Sequence, residues 1–579
     1  TIMIDTSKIC LIRPPAVESF RFATTSITPP LGLSYIASAL ESAGDGGVIK
    51  IIDAVGIAPD TRISYFKGYL VGLSSQDIVK DIPSTISIVG ITVVFTHEWP
   101  AIVDLIKRIK VDRPDIVVIL GGEHVTAMSE FSLKTSDADI IVTGEGEETI
   151  VELVQKLQRG SDISNMVGIV FKKNQQIIVN PRRERRSDVD SIVWPAWHLF
   201  DLETYQKHRF VGGMHSDHLT VPILATRGCP YQCTYCSSPG MWSPRWIPRD
   251  PIKVVDEIEY YINHYGARNF PFQDLTAILK KKWIIAFCKE VISRKLDITW
   301  LLPTGTRSES IDVEVAKLLK ESGMVSMAYA PESGSELTRK LVKKKMKTVS
   351  LFDSIDAAID GGLNVAIFLV IGFPHDNKES LVENLPFIDK LASSGVQDVS
   401  VGYYMALPGT ELFYSLYDSG KICLDINYFR HILDSLAILP SQSYTSSLGR
   451  LDLMLWKLRM FKRFYTANRI GLNKKPLLVR VLDLLSGLGK KKHETRLQTA
   501  IRNGLESALT TFIVKFKPAW LNSKQEELMF TNWDKIYREL RLKKISQLAA
   551  KPYPEDTTEL HKTNVINLLK VEHNVKYKV

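Results

Sequence analysis

"TRGCPYQCTYCSSPG", residues 226–240, sets three cysteines at 229, 233 and 236, directly after the short apolar run "PILATRG" (222–228). A structural zinc site takes four protein ligands, and a four-iron cluster ordinarily takes four cysteines. Three thiolates spaced C-x3-C-x2-C leave one metal coordination position for a ligand that is not protein. The plain alternative is a zinc site completed by His215 or His218, just upstream of that run.

Downstream, the same kind of apolar run recurs at "NFPFQD", "ITWLLPTGT", "MVSMAYAPESG", "NVAIFLVIGFP" and "DVSVGYYMALPG". Helical patterns such as "PIKVVDEIEYYINHYG" and "IDVEVAKLLKESG" lie between them. Six such units are fewer than the eight that close a full barrel, so the reading is an open, partial (β/α)6 barrel over 221–440. Its site is expected at the carboxyl ends of the strands, which puts the cysteines at the mouth and argues against a purely structural zinc. Upstream, "KICLIRPP", "VIKIIDA", "SIVGITVVF", "DIVVILGGE" and "ADIIVTGEGE" alternate with amphipathic stretches. Near-continuous apolar strands separated by helices indicate a doubly wound parallel sheet over 1–165. Residues 166–220 read as a hairpin, "VGIVFKKNQQIIVN", followed by a charged connector beginning "PRRERRSDVD". The fold class is thus α/β: a Rossmann-like domain, a partial barrel, and a basic helical region over 441–579.

That last region holds 27 Lys and Arg against 12 Asp and Glu, whereas the whole chain has 73 against 64. Its helical stretches include "LDLMLWKLRMFKRFYTANRIG", "KPLLVRVLDLLSGLGKKK" and "WDKIYRELRLKKISQLAA". They read either as a lid packed on the barrel or as a platform for an anionic or amphiphilic substrate or a membrane surface. No recognised nucleic-acid module accompanies the charge. No apolar run reaches the ~18 residues of a membrane helix, and the opening residues lack a basic-then-apolar leader. Six cysteines, three of them scattered, do not form a disulfide framework. A reduced cytoplasmic location is expected, with peripheral membrane association through the basic helices as a variant.

C-x3-C-x-Y-C opening a partial barrel resembles the radical S-adenosylmethionine (SAM) family. The resemblance implies that Cys229, Cys233 and Cys236 hold a [4Fe-4S] cluster whose open iron is chelated by SAM. It also implies that reductive SAM cleavage yields a 5′-deoxyadenosyl radical, with an external electron donor such as flavodoxin or ferredoxin. Tyr235, within the motif, is implied as a SAM contact. "FQDLT" places Gln273 and Asp274 where the family meets the methionyl group. "YAPESGS" places Glu332 and Ser333 at the ribose and methionyl contacts, and "VIGFP" places Gly372 beside the adenine. "LPGTEL" (407–412) matches the end of the sixth strand.

The N-terminal half is similar to the cobalamin-binding members of that family, through "TPPLGLSYIASALESAG", "GGEHVTA" and "GEGEETIVELV", with "IVWPAWHLF" resembling their connector. The resemblance implies cobalamin contacts at Pro30, Leu31, Gly32, Thr96, His97, Gly121, Gly122, His124, Gly144, Glu145, Gly146 and Glu147. The D-x-H-x-x-G motif that supplies a cobalt-ligating His elsewhere is missing, so His97 is read as lining the pocket. Methylthiotransferases of similar domain order need three more N-terminal cysteines, and only Cys10 is there. Cys288 and Cys423 are expected to be packed. The implied function is a cobalamin-dependent radical SAM methyltransferase acting on an unactivated carbon of a small molecule. An oxidative cyclase resembling the anaerobic magnesium-protoporphyrin enzyme shares every motif. A cobalamin- or SAM-binding regulator is the reading from another class.

Overall fold

The computed structural model describes residues 8–19, 27–44, 48–65, 68–212, 216–307, 310–467, 528–530 and 532–549. In the N-terminal half, five parallel strands lie in the order Val48–Asp53, Lys8–Arg13, Ile88–Thr92, Val117–Gly121, Ile140–Val142. Successive side chains of one strand alternate between faces, and each strand here feeds two cores. Leu11, Ile119 and Ile140 pack with helices Leu31–Ser42 and Glu147–Gln158. Cys10, Ile12, Val118 and Leu120 pack on the other face with Trp99–Asp112. The hairpin Ile169–Lys173 and Gln176–Val179 is not free-standing: it pairs antiparallel onto Ile140–Val142 and extends this sheet. A small antiparallel sheet of Ala16–Ser19, Gly68–Val71 and Arg62–Tyr65, absent from the sequence reading, sits beside the first strand's end.

The barrel has five consecutive parallel strands: Asn269–Pro271, Thr299–Thr306, Met324–Glu332, Asn364–Ile371 and Asp398–Tyr403. The expected first strand survives as two parallel bridges, Thr220 to Asn269 and Ile223 to Phe272. The amides of Val221 and Ile223 donate to Asn269 and Pro271 carbonyls, leaving Pro222 turned to the other side. Proline lacks an N–H and is tolerated where no neighbour needs one; Pro222 marks the barrel's open edge. Asp250 and Asp312 cap the helices Pro251–Tyr265 and Val313–Glu321 by accepting from Ile252 and Val315 amides.

The described parts of the basic region are built into these domains. Helix Arg450–Ala467 buries Leu453, Trp456, Met460 and Phe464 against the barrel, and Tyr465 donates to Asp398 at 2.9 Å. Lys457 is buried too, donating to the Leu436 and Ala437 carbonyls at 2.8 Å each; burial pulls its pKa down to about 7. Helix Trp533–Ala549 spans both domains. Its Trp533 and Tyr537 rings meet Phe131 edge-on at 5.7 and 5.8 Å, and Tyr537 meets Tyr417 at 4.7 Å. The stretch "KPLLVRVLDLLSGLGKKK" lies outside the described residues. Cys288 is packed as expected and Cys10 is buried too, but Cys423 is exposed, on a loop beside Asp534. No described helix is long and apolar enough to cross a membrane.

Candidate functional site

The cysteine loop leaves the barrel at Gly228, whose φ of +82° and closeness to the Arg245 carbonyl admit no side chain. Its middle is sewn to the barrel. The Thr234 amide donates to Val342, the Leu412 amide donates to Thr234, and the Cys236 amide closes a turn on Cys233. Cys229, Cys233 and Cys236 are all half-buried. Burial pushes the Cys236 thiol up to about 12 and raises Cys229, while Lys344 pulls both the other way. Among the described residues no three His, Cys, Asp or Glu side chains converge on a point where one ion could sit. His218 is exposed; His215 lies outside the described residues. Three half-buried thiols on one loop suit a cubane, which takes each thiolate on a different iron.

Behind the loop stands a buried ionic knot. Tyr235 donates to Glu332 at 2.8 Å, and Lys344 donates to the same carboxylate oxygen at 3.0 Å. Glu332 ends its strand at φ +66°, a conformation non-glycine residues rarely hold without support. Burial alone would lower the Lys344 pKa, but Glu332 and Cys233 outweigh it and raise it. Lys344 had no signal in the sequence beyond its place in a basic run.

The other expected SAM residues divide by role. Asp274 is fully buried and spends its carboxylate on the Ala225 and Thr226 amides and the Thr226 hydroxyl, fixing the strand that leads into the cysteines. Burial pushes it up to about 6. Ser333 accepts from the Ser335 amide, holding its own turn. Gly372, at φ +88°, gives its amide to Asp376 at 2.9 Å. Gln273 keeps a buried side-chain nitrogen with no protein acceptor, facing Gly212 and the methyl of Thr28. That donor, like the Thr234 hydroxyl in the cysteine loop, has no partner among the described residues and is free to meet a ligand.

Across from the barrel, the parallel sheet presents backbone. A side chain at Gly32, in the first turn of helix Leu31–Ser42, or at Gly121, at the end of its strand, would meet nothing within 4 Å, so both positions border open space. Gly122, at φ +125°, lies against the Val93 carbonyl and must be glycine. Pro30 and Leu31 open the Leu31–Ser42 helix, with the Pro30 carbonyl accepting from Ser34. Thr96, His97 and His124 are buried together. His124 contacts the Thr96 hydroxyl at 3.1 Å through Nδ1, and its buried Nε2 has no protein partner. Burial lowers His97 to about 4 and His124 to about 3. Open glycine edges and an orphaned ring nitrogen fit a bulky ligand seated on backbone.

Glu145 and Glu147 are held by arginines: Arg227 donates to Glu145 at 3.2 Å and to Glu147 at 2.6 Å, and Arg185 reaches Glu145 at 3.3 Å. Gly144 and Gly146, on either side of Glu145, are covered, by Arg182 and by Ile36. The connector read as merely charged grips both ends of the cysteine loop: Arg185 donates to the Arg245 and Arg227 carbonyls, and Arg182 to those of Gly240 and Met241. The signal was present as "RRERR" against "GEGEE", but charge runs do not announce their partners. The two edges touch directly. Helix Glu123–Ala127 lies beside helix Ser238–Trp242, with Glu123 bonded to Ser237.

Residues 22–154 match the B12 binding domain family and residues 223–388 the Radical SAM superfamily. An uncharacterized methyltransferase of Pyrococcus horikoshii is 29% identical, over 70% of this chain and 82% of its own. The anaerobic magnesium-protoporphyrin IX monomethyl ester cyclase of Rubrivivax gelatinosus is 27% identical, over 68% of this chain and 67% of its own. The cobalamin-dependent SAM radical enzyme OxsB, solved with aqua-cobalamin and SAM, shares the fold at a TM-score of 0.59 and 15% identity, covering 97% of this chain and 83% of that one.

Proposed function

We propose that this chain, which belongs to the radical SAM superfamily and carries a B12-binding domain, is a methyltransferase acting on an unactivated carbon of a small molecule. The observation that carries the reading is the apposition of the cysteine loop and the open glycine edge, with helix Glu123–Ala127 laid against helix Ser238–Trp242. When bound, a [4Fe-4S] cluster, SAM and cobalamin together supply reductive SAM cleavage, hydrogen abstraction and methyl transfer. The chain's own residues hold and orient. Cys229, Cys233 and Cys236 would ligate the cluster, and Gln273 and the Tyr235–Glu332–Lys344 knot would border SAM. Gly32 and Gly121 would border the corrin, with Gly122 turning the chain beside them. Asp274, Ser333 and Asp376 would set the backbone around SAM.

Two finer points belong to the same reading. Lys340, Lys343, Lys345 and Lys347 are exposed, and the Lys343 carbonyl lies 3.8 Å from the Cys233 sulfur. That basic rim over the cluster loop supports docking of an acidic one-electron carrier. On helix Trp533–Ala549, Lys535, Arg538, Lys543 and Lys544 face outward, which supports contact with an anionic substrate or surface.

The test needs no substrate. The full chain, reconstituted anaerobically and supplied with SAM and reduced cobalamin, should release S-adenosylhomocysteine; with a chemical reductant it should also release 5′-deoxyadenosine. 5′-Deoxyadenosine without S-adenosylhomocysteine would favour the cyclase-type reading, which similarity to the cyclases keeps in view. Neither product would favour a regulator.

A further inference from the structure

We propose that Arg227 is a positioning residue that couples the two cofactor sites, so that filling one tightens the other. The proposal rests on the reading that the chain holds both a cluster and cobalamin. Arg227 stands two positions before Cys229, and its guanidinium is almost wholly buried at 6% exposure. That one group touches both segments of the sheet edge flanking the expected corrin site. It is bonded to Glu145 and Glu147, either side of Gly146, and it stacks at 5.1 Å over Tyr35, one turn into the helix that Pro30 opens.

The backbone completes the linkage. The Arg227 carbonyl accepts from Arg185, which also pairs with Glu145. Gly228 then turns the chain directly into the first cysteine. A second link runs from Glu123, beside Gly122, to Ser237, next to Cys236; Arg227 differs in touching the Glu145–Glu147 turn and Tyr35 at once.

Glu145 and Glu147 are each only 13% exposed, so without Arg227 the Glu147 carboxylate would lose its bonded cation and Glu145 would keep Arg185 alone, in a poor solvent for charge. The network is therefore held as a unit. A cofactor that orders one of its arms lowers the ordering entropy left for the other cofactor to overcome. By linkage the effect is reciprocal, and couplings of this kind span about 5- to 150-fold in affinity. An ion pair that merely glued the domains would change stability without making either affinity depend on the other.

The experiment titrates hydroxocobalamin, followed by absorbance, into the full chain with and without its reconstituted cluster. Wild type should bind cobalamin at least about 5-fold more tightly when the cluster is present. In Arg227→Gln that ratio should fall toward one. Glu147→Gln, which keeps Arg227 paired with Glu145, should give an intermediate ratio, as should Arg227→Lys, which keeps the charge but loses the fork. Cobalamin should also perturb the cluster's electron paramagnetic resonance spectrum in wild type and not in Arg227→Gln. A wild-type ratio within twofold of one overturns the proposal even if no variant folds. A ratio preserved in the variants overturns it equally. A wild-type chain that binds neither cofactor overturns the functional reading, and the coupling falls with it.

Discussion

The two edges that face each other across the site are made by opposite means. The barrel edge is made of side chains: three thiols, a buried Lys–Glu–Tyr knot, and an orphaned Gln nitrogen. The sheet edge is made of side chains left out, with glycines opening onto space and two neutral histidines behind them. A soft metal cluster needs specific ligand atoms, whereas a large planar ligand needs room and backbone. Substitutions should therefore fail differently on the two sides.

The largest effect is expected at the thiols. Replacing Cys229, Cys233 and Cys236 with Ala should remove all bound iron and all 5′-deoxyadenosine, while Cys10→Ala with Cys288→Ala leaves the iron content in place. Loss of iron in the second variant would break the contrast. Next comes Lys344→Met, which leaves Glu332 buried without its cation; chemical denaturation should show a loss of about 3 kcal/mol. Little change there would mean the knot is not part of the barrel edge's stability.

On the sheet side, Gly121→Val should abolish cobalamin binding with little change in melting temperature, because the new side chain enters only open space. Gly122→Ala should instead cost about 1–3 kcal/mol, since its backbone conformation excludes other residues. If the two glycines behaved alike, the edge would not be a cradle.

The smallest effect is a slope. His97 is held neutral by burial, with its pKa depressed from the ordinary 6.5 to about 4. Its contribution is intact above pH 6.5 and is lost as pH falls toward 4, because the unfolded chain takes up the proton first. Relative to wild type, His97→Phe should therefore gain about 1.4 kcal/mol per pH unit across that window. Parallel curves would show that His97 is not sealed behind the edge.

The same contrast explains what the sequence made legible. Strand runs such as "SIVGITVVF" and "NVAIFLVIGF" are apolar on both faces, and only a covered parallel sheet accommodates that. The cysteine spacing left one metal position open, and the family resemblance supplied a cluster for it. The roles of Asp274, Glu145 and Glu147 were not legible, because a carboxylate near a site can serve a ligand, an amide or an arginine, and only packing decides. The connector arginines and Lys344 gain their meaning from partners tens to hundreds of residues away. The small sheet at Ala16–Ser19 escaped notice because its strands are only four residues long. Helix Arg450–Ala467 was read through its charge, but its i, i+3 and i+7 apolar positions settle where it sits.

Helix Trp533–Ala549 lays its aromatic face on Phe131, about 400 residues earlier in the chain. A ribosome adding about 5–20 residues per second takes roughly 20–80 s to cover that distance. For that interval the nascent sheet stands with its Ser129–Thr135 helix uncovered, and until the barrel strands ending at Tyr403 are made its glycine edge faces no barrel. A bulky cofactor could enter from the side before the last strap is made. In the finished protein it would have to wait for two domains to part.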